Sequence, residues 1–347
     1  MPDHLLRPLP KMTDAIIFPP NMDYDYFSIR KDHPFPPVQT DFDPAICWWL
    51  SEFSLIAYEH PNFIRLAMDS ILDMKTQIVN NNNFRCVVAY DDELIVVAFR
   101  GTQIKSIGML KDLSYGVLVK PVFASDYGKL HQGFFDSYQR VWLDCELGAR
   151  NIVRKLKHEN PQRRLWFTGH SLGGVIAVLA AIESNCQNPV YTFGCPKFGD
   201  REFARKLGIR HFRMVNRDDI VVRFPPRFSK YIGHDVYYID GEVFQISDKG
   251  IAVSTIEDKS LLKYIFDLWK TNRNAVFKLI FWGIPASAVR YLLRFQVLKF
   301  VSILSDAMQE LLFKYMVDHA PVLYAISAYN YLISNGRGSA SNDSGSP

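Results

Sequence analysis

The chain has 347 residues, of which 48% are hydrophobic and 22% charged, the composition of a folded globular protein. Its formal net charge of +4 is too mild for a nucleic-acid binder, and no basic stripe with interleaved aromatics supports one. Five cysteines, Cys47, Cys86, Cys145, Cys186 and Cys195, form no C-x-x-C pair, so neither a zinc site nor a disulfide framework is indicated.

Residues 1–41 are rich in proline and read as an extended arm over the surface. The prolines of "MPDHLLRPLPKMTDAIIFPP" interrupt the apolar core that a signal peptide needs. The expected location is therefore intracellular and cytoplasmic, in a reducing compartment. Asp43-Pro44 opens a helical pattern that runs through Trp48, Trp49, Leu50, Phe53, Leu55 and Ile56. A second helix is predicted from Asn62 to Leu72, then strands over Phe84–Tyr90 and Leu94–Phe99 joined by the turn Asp91-Asp92-Glu93.

From there the pattern alternates. A helix over Phe134–Lys157 is followed by a strand (165–168), a helix (172–184), a strand (190–193), a short helix (201–207) and a strand (211–215). That order predicts an α/β fold with a mostly parallel central sheet flanked by helices. Residues 255–316 break the alternation as an apolar and basic helical insertion, and "SNGRGSASNDSGSP" (334–347) is a low-complexity tail. The longest uncharged run of the insertion, Leu279 to Val289, is too short to cross a bilayer.

The chemistry concentrates in "FTGHSLGGVIAVLAA" (167–181). Gly169-His170-Ser171-Leu172-Gly173 is a G-x-S-x-G pattern between a predicted strand and a predicted helix, the setting of a nucleophile elbow. Glycine at 169 and 173 removes β-carbons that would crowd a serine held at a strained turn. A serine nucleophile needs a base and an orienting acid. Asp219 lies just past the C-terminal end of the strand "HFRMV", where such sheets place functional groups, with adjacent Asp218 as the rival.

Several segments resemble the class 3 lipases, the fungal-type branch of the α/β-hydrolases. They are "VVAFRGT" (96–102), "KDL" (111–113), "LHQGFFDSY" (130–138), "FTGHSLGG", "YTFGCPKFGD" (191–200) and "VNRDDIVVRFPP" (215–226), in order. The resemblance spans about 42–240, resumes near His319, and implies one α/β-hydrolase domain over 42–333. It implies that Asp219, the acid of the D-I-V-x-R-x-P-P segment, is catalytic. It also implies an oxyanion hole from the backbone N–H groups of Thr102 and Leu172. Residues 103–111 follow where the family carries its lid; Ile104, Ile107, Met109 and Leu110 face lipid there or belong to an ordinary amphipathic connector.

Only His234 and His319 follow Asp219 in the chain. The family often has a histidine at the position of His234 that is not catalytic, and its base comes later with an aromatic a few residues on. "VDHAPVLY" (317–324) fits, which makes His319 the expected base and His234 the alternative. The resulting expectation is a Ser171–His319–Asp219 triad hydrolysing triacylglycerol, diacylglycerol or phospholipid through an acyl-serine, with no cofactor or metal. The alternatives are acyl transfer to an alcohol and a catalytically silent scaffold. Basic residues Lys278, Arg290, Arg294 and Lys299 interleaved with Phe277, Phe281, Trp282, Tyr291 and Phe295 suit peripheral contact with a membrane or lipid droplet surface. A helical hairpin packed on the core is the alternative for that segment.

Overall fold

Asp43 accepts hydrogen bonds from the backbone N–H groups of Ala45 and Ile46, and so caps helix α1 (Pro44–Ile56). Pro44 fills the first turn, where an N–H has no intrahelical partner to lose. Helix α2 (Pro61–Leu72) starts the same way, capped by His60. A computed structural model describes residues 6–8, 10, 23–37, 40–81, 84–101, 118–119, 128–144, 148–217, 219, 221–223, 242–247, 250–253 and 317–335. The insertion, the residues expected to form a lid, and the tail beyond 335 lie outside them.

Eight strands form the main sheet. They are β1 (Lys75–Asn81), β2 (Phe84–Tyr90), β3 (Leu94–Phe99), β6 (Arg164–His170), β7 (Val190–Phe193), β8 (His211–Asn216), β9 (Glu242–Ser247) and β10 (Gly250–Val253), side by side in that order. The five from β3 to β9 run parallel, while β1, β2 and β10 add antiparallel edges. Two short strands, β4 (Leu118–Val119) and β5 (Leu130–His131), pair separately. The mostly parallel sheet expected from the alternating pattern is present.

Both faces are covered, so the central strands are apolar throughout instead of alternating with polar residues. In β3, Leu94, Val96 and Ala98 join a core with α1, α2 and the C-terminal helix α7 (Pro321–Asn335). Ile95, Val97 and Phe99 point the other way. They meet α3 (Gln132–Tyr138), α4 (Ala149–Glu159) and α5 (Leu172–Glu183). A last short helix, α6 (Arg201–Arg205), precedes β8. No helix among the described residues is long and apolar enough to cross a membrane.

Two expectations change, and one strand was not foreseen. The single helix predicted over Phe134–Lys157 is α3, a π-helical turn (Gln139–Leu143) and α4, because the turn keeps Val141 and Trp142 in register with the core. Strand β1 escaped notice because "KTQIVNN" is a mostly polar edge. The N-terminal arm is more than a surface cover. Tyr26 and Phe27 are buried in the core, and Phe27 packs edge-on against Phe53.

The arm docks on a buried acid. Glu52 accepts from Tyr24 Oη at 2.6 Å, from Phe27 N at 3.0 Å and from Trp48 Nε1 at 3.1 Å. Burial pushes its carboxyl up to about 7 from 4.5, against the pull of these donors. The folded chain therefore binds a proton there that the unfolded chain releases, and this stabilisation is lost as pH rises from about 4.5 through about 7. Urea unfolding of wild type and Glu52→Gln across pH 4.5–8 isolates the effect. Wild type should lose about 3 kcal/mol relative to the variant over that window, and a pH-independent difference would refute it.

Candidate active site

Ser171 stands at the corner between β6 and α5 with φ 57° and ψ −128°, a region that costs a residue with a side chain about 1–3 kcal/mol. The corner is pinned on both sides. Its N–H donates to the Phe193 carbonyl at 2.8 Å, and its own carbonyl accepts from Gly174 N–H at 3.0 Å. The glycines act as the spacing implied. A β-carbon on Gly169 would run into the backbone of Gly173, and one on Gly173 into the carbonyl of Phe99. Leu172 is the first residue of α5, so its N–H belongs to the unpaired first turn of a helix beside the serine.

Asp219 and His319 meet across 100 residues of chain: His319 Nδ1 lies 2.8 Å from Asp219 Oδ2, with both side chains buried. Tyr324 Oη donates to the same Oδ2 at 2.6 Å, and Val221 N–H donates to Oδ1 at 2.8 Å. Strand β8 delivers the acid and the turn before α7 delivers the imidazole. Asn216, the last residue of β8, ties the two together. Its N–H donates to Tyr324 Oη at 3.0 Å, and its side-chain amide donates to the Asp318 carbonyl at 2.9 Å. Burial and the Asp219 charge drive the Tyr324 hydroxyl well above its usual range, so it stays a donor.

A carboxylate on Nδ1 fixes the imidazole tautomer that leaves the Nε2 lone pair available. Nε2 of His319 is buried and has no hydrogen-bond partner among the described residues. The end of β7 touches both halves of the site. Phe193 holds the Ser171 N–H, and a β-carbon on the next residue, Gly194, would lie 2.9 Å from the His319 ring and 3.1 Å from Asp219 Oδ2. A buried serine, an imidazole with a free nitrogen and a fully bonded carboxylate are therefore gathered at the carboxyl ends of β6, β7 and β8. Such a set can draw a proton from a hydroxyl and stabilise the imidazolium that results.

Of the residues singled out from sequence, Ser171, Leu172, Asp219 and His319 are brought into this region. Thr102, Asp218 and His234 lie outside the described residues. Sequence reasoning missed Gly194, Asn216, Tyr58 and the role of His170. His170 Nδ1 lies 2.8 Å from Tyr58 Oη, and its Nε2 lies 2.7 Å from the His319 carbonyl. Gly194 did have a signal, since a glycine closing a strand at a candidate site marks close approach of another group.

Residues 96–229 match the family described as Lipase (class 3). A lipase of Rhizomucor miehei is 32% identical over 168 residues, covering 45% of this chain and 44% of that protein. The secreted mono- and diacylglycerol lipase LIP4 of Malassezia restricta is 33% identical over 147 residues, covering 38% of this chain and 47% of that protein. The chain thus spans less than half the length of either relative. The solved structure of Rhizomucor miehei triacylglyceride lipase superposes with a TM-score of 0.50 at 24% identity, covering 66% of this chain and 92% of that one. The fold is that of the α/β-hydrolases.

Several relatives are named as secreted lipases, which overturns the cytoplasmic location expected from the sequence. The cysteines do not argue against that correction. Cys47, Cys86 and Cys195 are buried, and burial pushes their thiols up, to about 12 for Cys195. Buried, protonated thiols are inert, so their presence does not report a compartment.

Gly194 gives the sharpest test of this packing. At φ +63° against the imidazole, Gly194→Ala should cost at least about 1 kcal/mol in stability and displace His319 from Asp219. Urea unfolding and reaction of Ser171 with a phosphonate probe read the two effects. Wild-type values in both would refute the arrangement.

Proposed function

We propose that this chain, whose residues 96–229 match the class 3 lipase family, hydrolyses the carboxylic esters of lipids through an acyl-serine at Ser171. The observation that carries this reading is the Asp219–His319 pair, with Nε2 unpartnered among the described residues, beside a serine at a strained strand–helix corner. His319 takes the Ser171 proton as the hydroxyl oxygen attacks the ester carbonyl, then returns it to the leaving alcohol. Water, deprotonated by His319 in turn, releases the acid. Asp219 holds the tautomer and balances the imidazolium charge.

The backbone N–H groups of Thr102 and Leu172 stabilise the tetrahedral oxyanion, each worth about 3 kcal/mol. The substrate class comprises acylglycerols and phospholipids. Relatives named as mono- and diacylglycerol lipases support the first, and one named phospholipase A1-Igamma1, from Arabidopsis thaliana, supports the second. Secretion, named for several relatives, replaces the cytoplasmic location. The hydrolase unit comprises 42–333, and the basic, aromatic segment 255–316 contacts the lipid surface.

Fluorophosphonate labelling tests the nucleophile and base. Ser171→Ala and His319→Ala should abolish it and His234→Ala should retain it, while Asp219→Asn should slow ester hydrolysis by about 10⁴-fold. Loss of labelling at His234→Ala but not His319→Ala would reassign the base. A wild-type chain that is folded but unlabelled, with detergent or liposomes present, would identify a scaffold without activity. Vesicle sedimentation tests the surface contact. Changing Arg290, Arg294 and Lys299 to Gln should weaken binding to anionic vesicles, and unchanged binding would sink that assignment.

A further inference from the structure

His170 is buried, and the proton transfers proposed above do not use it. Its two ring nitrogens are both engaged, on opposite sides of the site. The His319 carbonyl can only accept, so Nε2 of His170 carries the proton and donates across 2.7 Å. Burial, and the His319 imidazole nearby, drive His170 well below its usual range, so the ring stays neutral. A neutral ring protonated at Nε2 has its lone pair at Nδ1, and Tyr58 Oη must therefore donate there, across 2.8 Å.

The Tyr58 oxygen reaches further. The backbone N–H of Gly101 approaches it, and a β-carbon on Gly101 would collide with it. Gly101 immediately precedes Thr102, and that same β-carbon would lie 3.0 Å from Ser171 Cβ. The chain of contacts thus runs from the backbone beside Thr102, through Tyr58 and His170, to the backbone of His319. The rings reinforce it, with the His170 centroid 4.5 Å from that of His319. Burial drives the Tyr58 hydroxyl up, which keeps its proton in place to donate.

We propose that Tyr58 and His170 are positioning residues that fix the distance between the oxyanion-binding loop and the base. This inference rests on the reading of Ser171, Asp219 and His319 as a triad. Neither residue takes part in the proton transfers proposed above. Tyr58 comes from the residues that follow α1, and His170 from the last residue of β6. The relay therefore ties the backbone at Gly101 and the turn before α7 to the end of β6 and the turn that follows α1. It acts as one unit, since losing either hydrogen bond uncouples loop from base.

The test is a double-mutant cycle on a soluble short-chain ester, using the full chain. Tyr58→Phe and His170→Phe should each lower kcat by about tenfold with KM unchanged, and the double variant should lose little more than either alone. His170→Gln, whose amide nitrogen can occupy the position of Nε2, should recover part of the loss. Additive losses, a change confined to KM, or wild-type kcat in folded Tyr58→Phe would overturn the relay. If His170→Phe fails to fold, Tyr58→Phe and His170→Gln decide the matter on the same kcat criterion. Ser171→Ala separates the two readings. Labelling that survives it refutes the triad itself, whereas labelling lost there but kinetically normal in Tyr58→Phe and His170→Phe refutes the relay alone.

Discussion

The structure depends on one buried carboxylate. Asp219 is fully out of water, and an ionised acid in that position is tolerated only when its oxygens are bonded. Here three donors come from two parts of the chain. Val221 N–H is local, whereas Tyr324 Oη and His319 Nδ1 arrive from the C-terminal region. The acid thus docks α7 on the end of β8, and Asn216 repeats the tie through backbone and side chain. The N-terminal arm closes the far side of the same helix. Arg7 lies between the rings of Tyr24 and Tyr329, 4.7 and 4.5 Å from their centroids, and exchanges backbone hydrogen bonds with the Asn330 side chain.

A second constraint is the strain at Ser171. A positive φ on a serine persists only where surroundings leave no alternative. Here α5 is buried from Leu172 to Ile182, so the helix cannot swing to relax its first residue. Phe193 and Gly174 hold the corner by its backbone alone, which leaves the hydroxyl free of structural duty. The same economy of space explains the glycines around it. Three of them, Gly101, Gly169 and Gly173, stand where a β-carbon would strike the elbow, its flanks or Tyr58.

Much of this was legible in the sequence because it is written locally. The elbow is a five-residue pattern, and the central strands and helices announce themselves by period and punctuation. Asp219 could be found because the carboxyl end of a parallel strand is a fixed address. Features that depend on distant contacts were not legible. Tyr58 and His170 are 112 residues apart, and neither sits in a pattern that names a partner. Tyr26 and Phe27 looked like surface in a proline-rich arm, since only their distant acceptors, Glu59 for the Tyr26 hydroxyl and Glu52 for the Phe27 N–H, reveal why they turn inward. The π-helical turn kept the apolar rhythm of a helix and so hid a break. His319 was reached through likeness to a family, because no local rule spans its 100-residue separation from Asp219.

On the proposed reading, the way Asp219 is held also bears on the reaction. When His319 becomes imidazolium, the attraction to the carboxylate rises, and a loosely held acid would have to turn toward it. Tyr324 and Val221 remove that motion by fixing one oxygen each before the charge appears. Tyr324 and His319 share Oδ2, so the tyrosine draws off part of the negative charge that the imidazole meets. That sharing costs some attraction in the charged state and gains a defined geometry in the neutral one. The fixed orientation outweighs the lost attraction only if the carboxylate cannot find water as a substitute donor. Its complete burial provides that condition, which ties the chemistry back to the packing of α7.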